Sequence, residues 1–520
     1  MERTSEPPAG SEGPGQARLL ATGSLVQQGV QVTGLLALLA IVTVLARRLS
    51  LDEFGVYGLL SSLAGYLLVI QNSAASAAVR NMAAARGQEA RDRTFSTAAL
   101  IYAAAGALTG LLIAGVGVIL SLAVDLDPGL QGRAQLGAVL LGAVTAVGWP
   151  ITVYRDAMRA RQLFVRAAGI EMASLVLFAA LVLGLTYSGG GLAVLIAASG
   201  TIPLFAGLGA AIATRVSGLP FHFKPGAATR AEAKDFARLA WYVSITEAAG
   251  VVVYALDRVV LGVFASAATV GLYEGPVRAH NLLRALNGAL SVTALPSASR
   301  YFAENDHRRL SELLVRGVRY TLALIVPLTV TGMVLAPDLL EVWLGPGFRE
   351  GGLAMAILMS YWLVNGCTGV VQAIIVAGGS ANRLARIAWP VALSNLAISV
   401  PLTVALGLEG VAIGTAVPYF AAFLFVLAIV RKLVPVPGGE LARRAFMPAY
   451  LVGAALALAL VAARVLLDLD GLPIVLAVAV TGVVAAWLAL YAIALEPHER
   501  RLVRDVAGGF LPRRRGSAQD

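Results

Sequence analysis

Long apolar stretches alternate with short polar segments along almost the whole chain. A helix needs about 20 mostly apolar residues to cross the hydrocarbon core of a membrane, so each stretch predicts a membrane-spanning helix. The chain contains fourteen such stretches, which we number as spans in chain order. Their limits are 24–46, 56–79, 96–124, 134–154, 167–187, 191–214, 239–262, 269–296, 318–340, 353–377, 384–407, 410–430, 446–467 and 471–494.

The lysine and arginine residues between the spans predict the orientation of the chain. If the N-terminus is cytoplasmic and the spans alternate in direction, 32 of the 40 basic residues fall in or at the edge of cytoplasmic segments and three fall farther inside spans. The remaining five lie in or at the edge of outer segments, namely Arg47, Arg48, Arg133, Arg349 and Arg464. Cytoplasmic loops carry an excess of lysine and arginine, so both termini are predicted to be cytoplasmic. We expect Asp52 and Glu53 to offset Arg47 and Arg48.

The composition also indicates an all-α polytopic membrane protein. Hydrophobic residues make up 58% of the 520 residues, charged residues make up 13%, and the mean hydropathy is +0.79. Soluble domains carry about 25% charged residues. We attribute the net charge of +10 to cytoplasmic loops rather than to nucleic-acid binding. Cys367 is the single cysteine, which excludes an internal disulfide.

An internal similarity suggests that the spans form two lobes. The sequence FGVY at 54–57 opens span two, and VGLY at 270–273 opens span eight in the same direction. A parallel repeat of six plus six spans suits a transporter with a site between two bundles. The predicted domains are a disordered cytoplasmic tail (1–19), an N-terminal six-helix lobe (20–214), an amphipathic cytoplasmic linker (215–238), a C-terminal six-helix lobe (239–432), two additional spans (433–494) and a basic cytoplasmic tail (495–520).

The sequence carries no motif of a soluble enzyme. It lacks the G-x-x-x-x-G-K-[ST] and G-x-S-x-G motifs, which excludes a phosphate-binding loop for ATP and a nucleophile elbow. The four histidines are too scattered to predict a metal site. All predicted outer segments are short, whereas a membrane glycosyltransferase or polymerase usually needs a large catalytic loop. We therefore expect a protein that is not an enzyme and holds no metal.

Polar side chains occupy one half of span eight. At 100° per residue, this half contains Glu274, Arg278, His280, Asn281, Arg284, Asn287 and Ser291. A charge at the centre of a bilayer costs about 2.5–3.5 kcal/mol on insertion scales, so such residues face protein or water. The pattern predicts that span eight lines a water-filled cavity. Glu274 and Arg278 are four residues apart and are expected to pair.

Shorter polar patterns occur in three other spans. Asn72, Ser76 and Arg80 follow one face of span two at four-residue spacing. Span seven carries Glu247, Asp257 and Arg258, and span five carries Glu171 as an unpaired candidate. A structural interpretation stays open for each, because arginine can extend to the membrane surface and charges can form buried pairs. The GxxxG pairs Gly106–Gly110 and Gly410–Gly414 indicate close helix packing.

Several motifs resemble those of polysaccharide flippases of the O-antigen and exopolysaccharide (Wzx) type, within the multidrug/oligosaccharidyl-lipid/polysaccharide exporter superfamily. The matching segments are LDEFGVY at 51–57, AVR at 78–80, ALDRVVLG at 255–262, GLY at 271–273, LPSASR at 295–300, APDLL at 336–340 and LGPGF at 344–348. The resemblance runs from about residue 20 to 430. It implies two six-helix lobes that rock between inward-open and outward-open states, driven by a proton or sodium gradient without a cofactor.

The resemblance also implies a substrate and a location. The substrate would be an oligosaccharide on undecaprenyl pyrophosphate, moved from the inner to the outer leaflet of a bacterial or archaeal plasma membrane. Membrane lipids and the polysaccharide polymerase and glycosyltransferase machinery are the implied partners, with no nucleic acid.

Candidate residues follow from these two sources. Motif alignment assigns Arg80 and Arg258 to a cationic substrate cavity, and the helical face of span eight adds Arg278, Arg284, Asn281 and Asn287. Position alone suggests Glu247, Asp257, Glu274 and Glu171 for ion coupling. Three alternatives stay open. A lipid II flippase also has fourteen spans, a multidrug or cation antiporter of the same superfamily needs an acidic and aromatic cavity, and a scaffold of a polysaccharide assembly complex transports nothing.

Overall fold

The computed structural model describes residues 14–501, apart from the side chains of 14–25, 27–28, 67–69, 242–255 and 289–293. Every regular element within 14–501 is helical. Backbone contacts separate two compact units, the first ending at Gly271 and the second starting at Leu272. The predicted lobe limits of 20–214 and 239–432 stay a prediction.

The first unit contains nine helices and the start of a tenth within the described residues. They are α1 (Pro14–Arg48), α2 (Leu51–Ala84), α3 (Gln88–Ala123), α4 (Pro128–Ile151), α5 (Val153–Ala160), α6 (Phe164–Tyr187), α7 (Leu192–Ala198), α8 (Thr201–Val216), α9 (Arg230–Phe264) and α10 (Ala267–Ala303), with a 3₁₀ turn at Pro225–Ala227.

The second unit takes the remainder of α10 and ten further helices in its described part. They are α11 (His307–Val334), α12 (Ala336–Leu344), α13 (Gly352–Ser360), α14 (Trp362–Asn365), α15 (Thr368–Ala377), α16 (Ala381–Leu406), α17 (Leu408–Leu433), α18 (Gly438–Leu441), α19 (Met447–Leu466) and α20 (Leu472–Ile493), with a 3₁₀ helix at Pro346–Gly351 and a π-helix at Ala442–Phe446.

All fourteen predicted spans fall on helices. Ten helical segments of the described chain are long and apolar enough to cross a membrane. Two further pairs pass the same test but bend, by 46° between α7 and α8 and by 43° before α15. Spans seven and eight, on α9 and α10, are not among these twelve. The all-α polytopic membrane class is confirmed, whereas fourteen crossings stay a prediction.

The outer surface of the helices is apolar, as a lipid environment requires. Leu111 on α3 is 72% exposed, and Leu458 and Leu466 on α19 are 74% and 79% exposed. Burying such a side chain contributes about 1.5–3 kcal/mol relative to leaving it in water. These exposed leucines therefore contact hydrocarbon in a membrane instead of weakening a soluble fold.

Both GxxxG pairs mark places where two helices approach closely, as predicted. A Cβ built on Gly110 of α3 would overlap the Gly142 carbonyl oxygen of α4, and one on Gly142 would overlap the Gly110 carbonyl oxygen. A Cβ on Gly410 or Gly414 of α17 would overlap atoms of α16. Small residues let helix backbones approach, which strengthens packing where lipid supplies no hydrophobic driving force.

The predicted linker 215–238 is a packed segment over part of its length. Phe221 is 5% exposed, and its ring lies 5.7 Å from that of Phe95. The Lys224 Nζ lies 2.8 Å from Asp92 Oδ2, and its backbone N–H donates to Ser96. From Arg230 the chain is already helical and continues into α9. Asp92 and Phe95 of α3 hold these residues, and the assignment of 215–238 as an amphipathic cytoplasmic linker stays a prediction.

The basic residues of the predicted outer segments have partners. Arg133 Nη1 lies 2.6 Å from Glu53 Oε1, so Glu53 pairs there. The Arg48 guanidinium lies 4.9 Å from the centre of the Tyr187 ring. Asp338 forms ion pairs with Arg349, at 3.2 Å, and with Arg464, at 2.7 Å. These contacts partly neutralise the basic residues of the outer segments, where the predicted orientation favours few lysines and arginines.

A second charge cluster fixes the segment that follows α20. Glu499 is 4% exposed and accepts hydrogen bonds from Arg319 and Tyr320 of α11. Glu496 accepts from Arg444 at 3.0 Å, and Arg444 also donates to Glu440 at 2.7 Å. The first described residues of the predicted basic tail therefore pack against the second unit.

Candidate functional site

The polar stripe of α2 lies on an exposed face of the helix. Asn72, Ser76 and Arg80 are all exposed, whereas the intervening Ala74 and Ala77 are 4% and 0% exposed. No carboxylate of the described residues lies within 4.0 Å of the Arg80 guanidinium. The apolar face of α2 therefore packs inward, and its opposite face presents two neutral polar groups and one cation.

Glu274 and Arg278 form the predicted pair one turn apart on α10. Arg278 Nη2 donates to Glu274 Oε2 at 2.7 Å, and the two side chains are 19% and 1% exposed. A buried carboxylate without a partner would be costly, and the guanidinium compensates it. Neither residue is an isolated charge. For either residue to bind a substrate or an ion, the hydrogen bond between Glu274 and Arg278 must be replaced by a contact with that ligand.

The far side of the predicted polar half of α10 is used for packing. His280 is 2% exposed, and its Nδ1 accepts from Trp362 Nε1 at 3.0 Å, with the Tyr361 hydroxyl also 3.0 Å away. Asn287 donates to Thr368 Oγ1 at 3.2 Å and accepts from the Gly369 N–H at 3.1 Å.

This arrangement has a physical cause. The N–H groups of the first helical turn have no partner within their own helix. The bend before α15 leaves the Gly369 N–H in that situation, and Asn287 supplies the acceptor. The prediction that the whole polar half lines a wet cavity is therefore wrong at His280, which is buried, while Asn287 is half-buried and its role in substrate binding stays a prediction.

Two polar residues of α10 keep access to the surface. Arg284 is exposed, and Asn281, three residues earlier, is half-buried. Ser291 lies outside the described side chains. Of the predicted substrate ligands with described side chains, Arg80 and Arg284 are thus exposed, and Asn281, like Arg278 and Asn287, is half-buried.

The described charges at the end of α9 are buried. Asp257 and Arg258 are 4% and 6% exposed, and both interact within the protein. Burial of a guanidinium requires compensating partners close by. The roles predicted for Arg258 in substrate binding and for Asp257 in ion coupling stay predictions. Glu247 lies among the side chains that the structure does not describe.

Glu171 is paired, which corrects its description as an unpaired candidate. Its Oε1 lies 2.5 Å from Arg159 Nη2 and 3.5 Å from Arg155 Nη1. Asp156 is fully buried and lies between the same arginines, 3.2 Å from Arg155 Nε and 3.7 Å from Arg159 Nη1. The Tyr102 hydroxyl donates to Asp156 at 2.8 Å.

The sequence assigned Arg155 and Arg159 to a loop and gave no role to Asp156. The i,i+3 spacing of Asp156 and Arg159 was the one signal that could have indicated the cluster. Its two acids and two arginines balance, so it contributes to the packing of α5 against α6 and α3.

The described part of the chain contains no group of side chains that could form a metal centre. No group of three or more His, Cys, Asp or Glu side chains there lies close enough together to hold an ion. The accessible chemistry of the described site residues is thus that of arginine and amide groups, which bind oxyanions and hydroxyl groups by hydrogen bonds.

Comparison with solved structures identifies the fold. The structure of lipid II flippase MurJ in an inward-closed conformation matches with a TM-score of 0.70 at 13% identity, covering 93% of this chain and all of that one. An inward-facing multidrug resistance MATE family transporter of the MOP superfamily matches with a TM-score of 0.62 at 13% identity, covering 77% of this chain and 94% of that one. At such identities the likeness establishes the fold alone.

Two curated relatives from Haloferax volcanii match over shorter stretches. "Probable flippase AglR" is 30% identical over 164 residues, which is 31% of this chain and 34% of that protein. "Probable low-salt glycan biosynthesis flippase Agl15" is 20% identical over 164 residues, 32% of this chain and 35% of that protein. The match thus spans about a third of the length of either relative.

The family is established by a longer match. The sequence profile of the family described as "Polysaccharide biosynthesis protein" matches residues 44–350, more than half of the chain. The matched range contains the α2 stripe with Arg80 and the polar residues of α10. The chain is a multi-pass membrane protein and belongs to the Polysaccharide biosynthesis protein family.

Proposed function

We propose that this protein is a flippase that moves a lipid-linked oligosaccharide from the inner to the outer leaflet of the plasma membrane for surface polysaccharide synthesis. The substrate is a sugar carried on undecaprenyl pyrophosphate, and no covalent bond is made or broken. The observation that carries the proposal is the family match over residues 44–350. The MurJ-like fold and the similarity to two archaeal flippases support it.

The substrate explains why accessible cations belong in such a protein. Sugar and diphosphate must cross about 30 Å of hydrocarbon, and burying an unpaired charge there is prohibitive. Arginine binds phosphate oxygens through a planar fork of N–H donors, which replaces the lost water. Arg80 in the first unit and Arg284 in the second are each exposed, and each by itself is a candidate to bind the diphosphate. Asn281 supplies an amide for the diphosphate or a sugar hydroxyl.

Ion coupling and assembly complete the proposal. A proton or sodium gradient drives alternating access, with Asp257, Glu274, Glu171 and Glu247 as candidate coupling groups. The pairing of Glu274 with Arg278 supports an exchange mechanism, in which an ion displaces the guanidinium. Both termini are cytoplasmic, and the protein works beside the polymerase and glycosyltransferases that use the same lipid carrier.

Lipid II is a second candidate substrate. It is favoured by one observation, the coverage of the whole MurJ chain at a TM-score of 0.70. Both substrates carry a diphosphate, so Arg80 and Arg284 would serve either one. The two proposals differ in the sugar and in the physiological consequence of losing the protein.

Reconstitution separates these proposals. Proteoliposomes containing the purified protein receive fluorescent undecaprenyl-pyrophosphate oligosaccharide or fluorescent lipid II in the inner leaflet, and quenching from outside reports the flipped fraction. We expect faster flipping of the oligosaccharide lipid than in empty vesicles. Preference for lipid II would select the second candidate, and equal rates with and without protein would reject transport.

A further inference from the structure

The chain between α17 and α19 forms a fixed wall at one end of the second unit. Val434 and Val436 are 0% and 7% exposed and belong to its apolar core, whereas Pro435 and Pro437 point outward and are exposed. Leu441 and Ala445 are buried farther along the same segment. Because alternate residues anchor it to the core, its outer surface keeps a defined shape.

A basic cavity of about 550 Å³ opens on this wall. Its lining includes Arg431 and Lys432 from the last turn of α17, together with Pro435 and Pro437. Both basic side chains are exposed, and no carboxylate of the described residues lies within 4.0 Å of either one. Arg444, on the same segment, differs because Glu440 and Glu496 compensate it.

A separate, open apolar cavity of about 570 Å³ lies on the next residues of the same segment. Phe446, Met447 and Leu451 line it along the first turns of α19, and Arg443 stands at its edge. Arg443 is exposed and has no ion-pair partner among the described residues. The two cavities are neighbours along the chain, since a Cβ built on Gly438 would lie 3.1 Å from the Arg431 guanidinium and the next residue, Gly439, lines the apolar cavity.

We infer that these two adjoining cavities bind one anionic phospholipid, with the phosphate at Arg431, Lys432 and Arg443 and an acyl chain along Phe446, Met447 and Leu451. Basic pockets at the ends of transmembrane helices recognise anionic head groups, and each nearby basic residue strengthens the attraction. A soluble phosphate would use only the first cavity. Arg443 lines the same cavity as Phe446, Met447 and Leu451, and Arg431 and Lys432 lie nearby. This combination of uncompensated cations and an apolar surface matches a lipid.

This site is independent of the proposed transport substrate. It lies wholly within the second unit, on residues 428–451, which fall outside the 44–350 range of the family match. The bound lipid would be a stable neighbour of the helix ends rather than transported cargo. Its occupancy can therefore be measured without any flipping assay.

Native mass spectrometry of the full-length protein tests the site. The protein in detergent is titrated with phosphatidylglycerol, with phosphatidylcholine of the same acyl chains, and with soluble glycerol phosphate. We expect tight binding of phosphatidylglycerol alone. The triple variant Arg431→Gln/Lys432→Gln/Arg443→Gln should weaken it by at least about tenfold. Ala442→Trp, which fills the apolar cavity without changing charge, should weaken it as well.

The matched control is Arg383→Gln/Arg386→Gln, which removes two exposed basic residues at the start of α16. It should leave phosphatidylglycerol affinity unchanged. Equal loss in the control and in the triple variant would overturn the proposal in favour of diffuse surface charge. Competition by glycerol phosphate, or wild-type affinity in Ala442→Trp, would exclude an acyl-chain site.

Discussion

Gly55 of α2 and Gly271 of α10 lie in reciprocal contact. A Cβ built on Gly55 would overlap the Ala267 carbonyl oxygen, and one built on Gly271 would overlap the Leu51 carbonyl oxygen. Each glycine thus faces the residue four positions before the other. The two glycines occupy equivalent positions of the FGVY and VGLY motifs, so these motifs contact each other directly, while the parallel repeat of six plus six spans stays a prediction.

Gly55→Ala should destabilise the protein, because the added methyl group overlaps backbone atoms that no rotamer change can move. Overpacking of this kind typically costs about 1–3 kcal/mol. We expect a lower melting temperature in detergent. Size-exclusion chromatography of heated samples measures this temperature. Gly115→Ala on α3 is the control, since nothing lies within 4 Å of its added Cβ. Equal stability of the two variants would contradict the close contact.

Arg80→Gln and Arg284→Gln should each slow flipping of the diphosphate-linked oligosaccharide in proteoliposomes. A hydrogen bond to a charged group is worth about 1.5–3 kcal/mol, which corresponds to a loss of about tenfold or more. Arg80→Lys should retain part of the rate, because it keeps the charge but not the fork. Arg383→Gln should flip at the wild-type rate. Unchanged flipping in both single variants would remove these residues from the substrate site.

Asn287→Leu and Asn281→Leu should have different effects. The first leaves the Gly369 N–H without its acceptor and should lower stability by about 1–3 kcal/mol. The second removes a half-buried amide and should lower the flipping rate while the melting temperature stays near that of the wild type. Melting curves and flipping rates of the two purified variants check this separation. If Asn281→Leu lowered the stability and Asn287→Leu lowered only the flipping rate, the roles assigned to Asn281 and Asn287 would have to be exchanged.

Glu499 should make the stability depend on acid pH. Burial raises the pKa of its carboxyl group, but hydrogen bonds from Tyr320 and the Glu496 N–H and the charges of Arg319 and Arg316 outweigh burial and hold the pKa below its ordinary value. A carboxyl pKa lowered by folding stabilises the folded state above the unfolded value of about 4.3. That contribution is lost as the pH falls through the lower, folded pKa.

The melting temperature of the wild type should therefore fall more steeply below about pH 4 than that of Glu499→Gln. At pH 7 the same variant should already melt at a lower temperature, because Arg319 loses its anionic partner. Glu350→Gln, at an exposed position, is the matched control and should follow the wild-type curve. Parallel acid profiles for the wild type and Glu499→Gln would refute this assignment.

The sequence predicted the helices because their signal is local. Apolar length identified all fourteen helical stretches, and four-residue spacing identified the exposed face of Arg80 and the Glu274–Arg278 pair. Hydrophobic and helical periodicity depend on residues that are close in the chain.

What depends on distant partners was missed. Nothing near Glu171 in sequence indicates Arg155 and Arg159, which belong to another helix. The acceptor role of Asn287 depends on a bend 81 residues away. The burial of Arg258 follows from packing, and its own helix gives no sign of it.

Polar contacts attach helices α19 and α20 to the rest of the second unit at two opposite ends. Arg464, at the end of α19, holds Asp338 and the Val334 carbonyl oxygen, while Glu496 and Glu499, beyond α20, hold Arg444 and Arg319. Because this helix pair is attached at both ends, neither helix has a free end that could move separately from the second unit. In any conformational change of the protein, the two helices should therefore move together with the second unit. They contribute to its size and to its lipid-facing surface rather than forming an independent gate.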